Sequence, residues 1–160
     1  MDHLFSPWRY AYVSGSRGDN RCILCRLAGG EPSEDEPSLV LQRAEHHFLV
    51  LNLFPYNCGH LMIVPFLHVS CLSDLPTASL NEMARLTARA ERVLVEAYQP
   101  EGINIGMNIG QSAGAGIADH IHLHVVPRWS ADTNFMTVAG ETRVLPEALH
   151  ETWGRLRGRF

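Results

Sequence analysis

The sequence has no long run of apolar residues, no large excess of charge of one sign and only four cysteines. Its apolar stretches are too short to span a bilayer, and Met1–Tyr10 contains no apolar run, so we expect neither a membrane segment nor a signal peptide. A net charge of -4 gives no basis for electrostatic binding of nucleic acid. The cysteine spacing is unlike a secreted disulfide framework. We therefore expect a cytoplasmic protein with no nucleic-acid or membrane partner.

What the sequence does contain is enough apolar residues for a core. Hydrophobic residues make up 46% of the 160 residues, which is ordinary for a globular protein. This length predicts one domain over residues 1–160. Within it we expect an aromatic-rich N-terminal arm at 1–20 and a C-terminal helix and tail at 146–160.

Short apolar runs bounded by turn residues predict strands, and one segment predicts a long helix. The helix signal is a capping-box pattern at Ser79 and Glu82, followed by apolar residues at helical spacing until Pro100. This order predicts an α+β fold with an antiparallel sheet, one long helix and one short terminal helix. The expected strands are Leu39–Gln42, Phe48–Asn52, His60–Pro65, Ile103–Ile109, His120–Val126 and Thr137–Leu145.

The segment His120–Val126 reads His-Ile-His-Leu-His-Val-Val, so three histidines alternate with large aliphatic residues. Successive side chains of a strand point to opposite faces, which predicts that the three imidazoles share one face. Ile121, Leu123 and Val125 would then fill the other face. Imidazole is both a nucleophile and a metal ligand near neutral pH, so this face indicates chemistry.

Two chemical interpretations of the histidines compete with an ordinary strand that carries surface histidines. In the first, three imidazoles hold a zinc ion with an activated water, as in a zinc hydrolase. In the second, the middle residue, His122, attacks an electrophilic phosphorus and forms a covalent intermediate. A nucleotide-binding protein without turnover is a further alternative.

A loop of small residues, Gly110–Gly116, directly precedes the histidines. Small residues let backbone N–H groups approach an anion closely, which is typical of a phosphate cradle. Alone, such a loop is more often merely flexible. It is followed by a strand and contains no Gly-Lys-Ser/Thr, so it is neither a dinucleotide fingerprint nor a Walker loop. The residues expected to contact substrate here are Gly110, Gln111, Ser112, Gly114 and Gly116.

The pair Cys22-x-x-Cys25 is typical of a metal site, although two buried structural thiols are the plain alternative. A closed tetrahedral zinc site needs two further ligands, for which His68 and His120 are candidates. Asn52 follows an apolar run. Its amide could bind sugar hydroxyls, or it could simply form a turn.

These motifs, in this order, resemble the histidine-triad (HIT) superfamily, whose motif is three histidines alternating with hydrophobic residues and ending in two hydrophobic residues. His120–Val126 matches every position. Four segments resemble, within that family, the bacterial diadenosine tetraphosphate phosphorylase type: Phe5–Tyr10, Leu51–His60, Gly106–Gly110 and Val126–Met136. One position departs from the family pattern, because Gly116 stands where many members have a glutamine.

The resemblance implies an antiparallel sheet of about five strands and, usually, a homodimer. It also implies cleavage of dinucleoside polyphosphates at the α-phosphate, with inorganic phosphate as acceptor and ADP and ATP as products. Related members hydrolyse such substrates, or nucleoside phosphoramidates, and release AMP.

The resemblance also implies roles for individual residues. His122 becomes the nucleophile, His124 stabilises the phosphate charge and His120 supports the site. Asn52 becomes a ribose contact, and Asn108 a phosphate or sugar contact. In the zinc-bearing branch the ligands of a structural zinc ion correspond to Cys22, Cys25, His68 and His120.

Overall fold

The computed structural model describes residues 22–130, 132–133, 137, 139–140 and 145–160. Five strands form one antiparallel sheet in the order β1-β2-β3-β5-β4. The strands are β1 Val40–Arg43, β2 His47–Leu51, β3 Leu61–Pro65, β4 Gly102–Gly106 and β5 Leu123–Arg128. The helices are α1 Ile23–Ala28, α2 Thr77–Tyr98 and α3 Leu149–Leu156, with short 3-10 turns at Pro32–Glu34, Leu72–Asp74 and Gln111–Ala113.

This architecture confirms the α+β class, the five-stranded sheet and both expected helices. Helix α1, which begins directly after Cys22, was not predicted. The predicted N-terminal arm at 1–20 lies outside the described residues, as does most of the predicted strand Thr137–Leu145. None of the helices in the described part of the chain is long and apolar enough to cross a membrane.

Strand β2 is buried on both faces because each face packs on a different cluster. Leu49 and Leu51 join the main core with α2 and α3. Phe48 and Val50 pack on the other face with Leu24 of α1. The sheet therefore separates a large helical layer from a smaller layer that contains α1.

Segment 120–126 shows the predicted alternation. Ile121 and Val125 are buried in the core beneath α2, and Leu123 packs against it. The hydrogen-bonded strand, however, runs from Leu123 to Arg128, so the predicted strand His120–Val126 begins three residues too early and ends two residues too early. Met62 of β3 pairs with His124 and packs in the α1 layer, which places the motif histidines on the face opposite α2.

The predicted capping box at Ser79 and Glu82 is wrong. Helix α2 begins at Thr77, and both side chains are buried in contact with the β1–β2 hairpin instead. Glu82 accepts hydrogen bonds from the backbone N–H groups of Glu45 (3.1 Å) and His46 (2.8 Å) and from Nδ1 of His47 (2.8 Å). Ser79 lies 3.3 Å from Nε2 of the same ring. The sequence pattern was real, but the two side chains bind a hairpin distant in sequence.

Burial alone would raise the pKa of Glu82. The hydrogen bonds from His47, His46 and Glu45 together outweigh burial and lower that pKa, so the carboxylate stays ionised. Glu82 therefore connects α2 to the hairpin through one charged group with three donors.

We expect Glu82→Gln to destabilise the protein by about 2 kcal/mol, because an amide nitrogen would face buried N–H donors and leave them unsatisfied. Urea denaturation at pH 7.5 measures the change in the free energy of unfolding. The matched control is Glu91→Gln, since Glu91 is exposed on the same helix. Equal stability of the two variants would contradict this role of Glu82.

Candidate active site and metal centre

His122 is held in the tautomer that a nucleophile needs. Its Nδ1 lies 2.9 Å from the carbonyl oxygen of His120, which only accepts hydrogen bonds. Nδ1 therefore carries the proton, and Nε2 of the neutral ring has a free lone pair. The residue is 7% exposed, so the ring is fixed by its surroundings. This arrangement suits attack by Nε2 on an electrophile that enters the site.

His124 is oriented by a chain of hydrogen bonds that begins at the backbone. The N–H of Tyr56 donates to Nδ1 of His60 over 3.0 Å, so His60 carries its proton on Nε2. That Nε2–H donates to Nδ1 of His124 over 2.9 Å. His124 must then carry its own proton on Nε2. The ring centroids of His122 and His124 are 5.0 Å apart, which places a lone pair and an N–H donor on neighbouring rings.

The two linked rings are neutral at neutral pH. Burial, followed by the charges of His124 and His122, lowers the pKa of His60 to about 3. Burial, followed by the charge of His122, lowers the pKa of His124 to about 4. The hydrogen-bond directions described above therefore hold throughout the physiological range.

A cavity of about 330 Å³ lies beside His124 on the sheet face opposite α2. Asn108, one of the predicted substrate contacts, lines this cavity together with Tyr56, Asn104 and Arg128. The cavity adjoins His124, the ring that carries its proton on Nε2. An N–H donor at the wall of a cavity can bind an anionic group, so this space could hold the phosphate-bearing part of a ligand.

Loop 110–116 contributes no residue to the described lining of this cavity. It forms a 3-10 turn in which Gly110 and Gly114 have positive φ angles of 82° and 87°, a conformation that favours glycine. The N–H groups of Ala113 and Gly114 bond to carbonyls of the loop itself. The predicted cradle formed by Gly110, Gln111, Ser112, Gly114 and Gly116 stays a prediction.

Asn52 forms the turn that was the alternative to a ligand contact. Its Oδ1 accepts the N–H of Phe54 at 3.0 Å, as in an Asx turn. Its Nδ2 lies 3.4 Å from Nε2 of His60. Asn52 thus adjoins the histidine chain, and its predicted ribose contact stays a prediction.

The four predicted metal ligands come together. One donor atom from each of Cys22, Cys25, His68 and His120 lies within 4.8 Å of every other. Nδ1 of His120 is 3.5 Å from each sulfur, and Nδ1 of His68 is 3.1 Å from Sγ of Cys25 and 3.3 Å from Nδ1 of His120. Ligands at ordinary zinc bond lengths form a tetrahedron with edges of about 3.3–3.8 Å. The spacing and the donor types therefore fit a tetrahedral metal ion.

The surroundings of the cluster also suit a metal. Nε2 of His120 lies 2.9 Å from the carbonyl oxygen of Pro65, so Nε2 carries the proton and Nδ1 is left as the ligand atom. Arg43 donates to the carbonyls of Leu27 and Ala28, at 3.0 Å each, and thereby holds the end of α1. Helix α1 is thus anchored to β1 while its first turn presents the cysteines.

Comparison with known proteins assigns the family. The family profile described as "HIT domain" matches residues 33–131, more than half of the chain. The chain belongs to the HIT family. It is 47% identical over 157 residues to a Mycobacterium tuberculosis protein named AP-4-A phosphorylase, covering 95% of this chain and 80% of that protein.

Two further HIT relatives are more distant. A zinc-bound histidine triad family protein from Mycobacterium smegmatis superposes with a TM-score of 0.68 at 30% identity, covering 89% of this chain and 94% of that one. The adenylylsulfatase HINT3 of Arabidopsis thaliana is 30% identical over 128 residues, covering 74% of this chain and 62% of that protein. The names AP-4-A phosphorylase and adenylylsulfatase refer to two different activities.

His60 had no predicted role, although its hydrogen bond orients the ring of His124 in this HIT site. A signal was present, because His60 and Met62 are two residues apart around the start of β3 and therefore share a face. Met62 is the partner of His124 in the sheet. Knowledge of that register would have placed His60 beside His124.

We expect stability to fall below pH 6.5. Folding lowers the pKa values of His60 and His124, so the unfolded chain binds protons more tightly. The free energy of unfolding is therefore highest above the ordinary histidine pKa of 6.5. It decreases as the pH falls towards the pKa values of the two rings in the folded protein. The loss at pH 5 is up to about 2 kcal/mol per ring.

Urea denaturation at pH 7.5 and pH 5 measures this loss. His124→Gln removes one titrating ring and should lose less stability between the two pH values than the wild type. The exposed His150 provides the control variant His150→Gln, which should behave as the wild type does. The same loss in the wild type and His124→Gln would contradict the assignment.

Proposed function

We propose that this protein is a phosphorylase of diadenosine tetraphosphate and related dinucleoside polyphosphates, acting through a nucleotidyl group on His122. The observation that carries the proposal is the free Nε2 lone pair of His122 beside the N–H of His124. The 47% identity to a protein named AP-4-A phosphorylase supports the substrate and the acceptor.

The first step is a displacement at the α-phosphorus. Nε2 of His122 forms a bond to this phosphorus as the bond to the α,β-bridging oxygen breaks, so ATP leaves from diadenosine tetraphosphate. Nε2–H of His124 lies on the neighbouring ring, where it stabilises negative charge on the phosphoryl oxygens. The hydrogen bond to the carbonyl of His120 stabilises the positive charge that develops on the His122 ring.

The second step regenerates the enzyme. An oxygen of inorganic phosphate attacks the α-phosphorus and the P–N bond breaks, which gives ADP and returns the lone pair to His122. Water in place of phosphate would give AMP, as in a hydrolase of the same family. A three-histidine zinc hydrolase has no support, because the described donor group that could hold one ion includes only His120 of the motif.

The proposal predicts ADP and ATP from diadenosine tetraphosphate, with ADP formed only when inorganic phosphate is present. Anion-exchange separation of the products after incubation with and without phosphate measures this. AMP formed at the same rate without phosphate would make the protein a hydrolase instead.

Two variants of His122 test its role as the nucleophile in this assay, and a variant of His46 is the control. His122→Ala should abolish turnover, and His122→Gly should regain part of it with free imidazole, because imidazole replaces the missing nucleophile. His46→Ala changes a histidine outside the cavity and should keep wild-type turnover. A near-normal rate for His122→Ala would rule out the nucleophile role.

We also propose that the Cys22, Cys25, His68 and His120 cluster binds structural zinc. These residues provide all four tetrahedral ligands, so they leave no position for a catalytic water. When bound, the ion supplies a cross-link between the start of α1, which carries Cys22 and Cys25, and the segments that carry His68 and His120. The chain's own residues carry out the phosphoryl chemistry.

Purified protein should contain one zinc ion per chain, and Cys22→Ser should lose it. Loss of the cross-link should cost about 3 kcal/mol and lower Tm by roughly 6–12 °C. Elemental analysis and thermal denaturation measure both effects. Cys58→Ser, which changes a cysteine outside the cluster, should retain zinc; zinc content unaffected by Cys22→Ser would exclude this site.

We further propose a homodimer formed through β4, which ends the sheet and exposes four of its five residues. Ile105 is 45% exposed there, and an unpaired edge strand can pair with a second copy. Sedimentation velocity should give a dimer, and Ile105→Asp should shift it to monomer; a monomeric wild type would contradict the proposal. The single domain and the cytoplasmic location stay predictions.

A further inference from the structure

The cavity beside His124 continues along β5 towards Arg128. His124, Val126 and Arg128 alternate along the strand and therefore share one face. Gly106 and Gly102 of β4 are paired with His124 and Arg128 respectively. A Cβ added at either glycine would meet no atom within 4 Å, so the space across from each functional side chain is open. We call this surface, formed by Asn104, Gly106, His124, Val126 and Arg128, the β4–β5 trough.

The guanidinium of Arg128 is held in place at the far end of the trough. Its Nε donates to Oδ2 of Asp132 at 2.6 Å, and its Nη2 donates to Oδ1 at 3.1 Å. Asp132 is itself fixed by Nδ2 of Asn57 at 2.7 Å and by the N–H of Trp129 at 3.3 Å. Asp132 is therefore a rigid support behind the guanidinium.

This support does not use up the donors of Arg128. Nη1 donates to Oδ1 of Asn104 at 2.7 Å, so three of the N–H groups are engaged. A guanidinium has five, which leaves two without a partner among the residues that the structure describes. The side chain is 44% exposed and lines the cavity. Arg128 therefore offers pre-oriented N–H donors to a ligand in the trough.

The position of Arg128 suits a ligand longer than a nucleoside monophosphate. Residues four apart on a strand have Cα atoms about 13 Å apart, so Arg128 lies well beyond the α-phosphate at His122 and His124. A polyphosphate that leaves the α-phosphorus along the trough carries its remaining phosphates towards Arg128. Among the described residues that line the cavity, Arg128 is the only one with a permanent charge, and guanidinium matches phosphate geometry.

We propose that Arg128 is a specificity-determining residue that binds the phosphates beyond the α-phosphate, and so selects dinucleoside polyphosphates over nucleoside monophosphate conjugates. This inference rests on the proposed function. The ion pair with Asp132 is neutral as a whole, so selection comes from directed N–H groups rather than from net attraction. A moderate effect on affinity follows.

The test compares ligands with and without distal phosphates. In an inactive His122→Asn background, Arg128→Gln should weaken binding of diadenosine tetraphosphate about tenfold, a loss within the range of charged hydrogen bonds. Binding of AMP should change less than twofold. Titration calorimetry measures both affinities. Arg92→Gln, which changes an exposed arginine on α2, is the matched control and should alter neither.

Two results would overturn the inference. An equal loss of affinity for AMP and diadenosine tetraphosphate would mean that Arg128 only supports the structure. No loss of affinity for either ligand would mean that Arg128 does not contact the ligand. If Arg128→Gln lowers Tm, the test uses Arg128→Lys, which keeps the positive charge but loses the forked geometry of the guanidinium. An intermediate loss of affinity confined to diadenosine tetraphosphate supports the inference. An equal loss of affinity for both ligands contradicts it.

The experiment does not depend on turnover. A protein that binds diadenosine tetraphosphate through Arg128 but forms no ADP from it with phosphate would refute the proposed reaction and leave the inference standing. A protein that forms ADP with phosphate but binds diadenosine tetraphosphate equally well with and without Arg128 would support the proposed reaction and refute the inference.

Discussion

The hydrogen bond from Nδ1 of His122 to the carbonyl of His120 is the interaction on which the rest of this site depends. It fixes the proton on one ring nitrogen and so leaves the other as a base and nucleophile. The same residue, His120, points its side chain into the cysteine cluster and donates Nε2–H to the carbonyl of Pro65 at the end of β3. One residue thus connects the cluster of Cys22, Cys25 and His68, the central sheet and His122.

The alternating pattern makes this connection possible. Aliphatic residues at 121, 123 and 125 fix the segment in the core beneath α2, so the histidines between them have little freedom. A histidine on a surface loop would sample both tautomers and several rotamers in water. Here backbone groups assign every proton, through the His120 carbonyl for His122 and through the Tyr56 N–H for the pair His60 and His124. Packing of the aliphatic residues therefore fixes the orientation of the histidine rings before a ligand binds.

Local patterns predicted much of this protein, because strand alternation, helix periodicity and ligand spacing are properties of short segments. They predicted the five strands, both longer helices and all four residues of the cysteine and histidine cluster. The resemblance to a family supplied the expected roles of the histidines, which stay predictions. What the sequence could not show depends on register between distant strands: His60 reaches His124 only because β3 and β5 pair as they do. The predicted capping role of Glu82 was wrong for a similar reason, because its hydrogen-bond partners are 35–37 residues away in sequence.

The measurement that tests the account most directly is the location of the covalent intermediate. The protein would be mixed with diadenosine tetraphosphate without inorganic phosphate, denatured rapidly at alkaline pH to preserve a P–N bond, digested and fragmented in a mass spectrometer. The account predicts one adenylyl group, placed on His122 and lost when phosphate is added before denaturation. Turnover with no adduct, or an adduct on His124 or another residue, would contradict it.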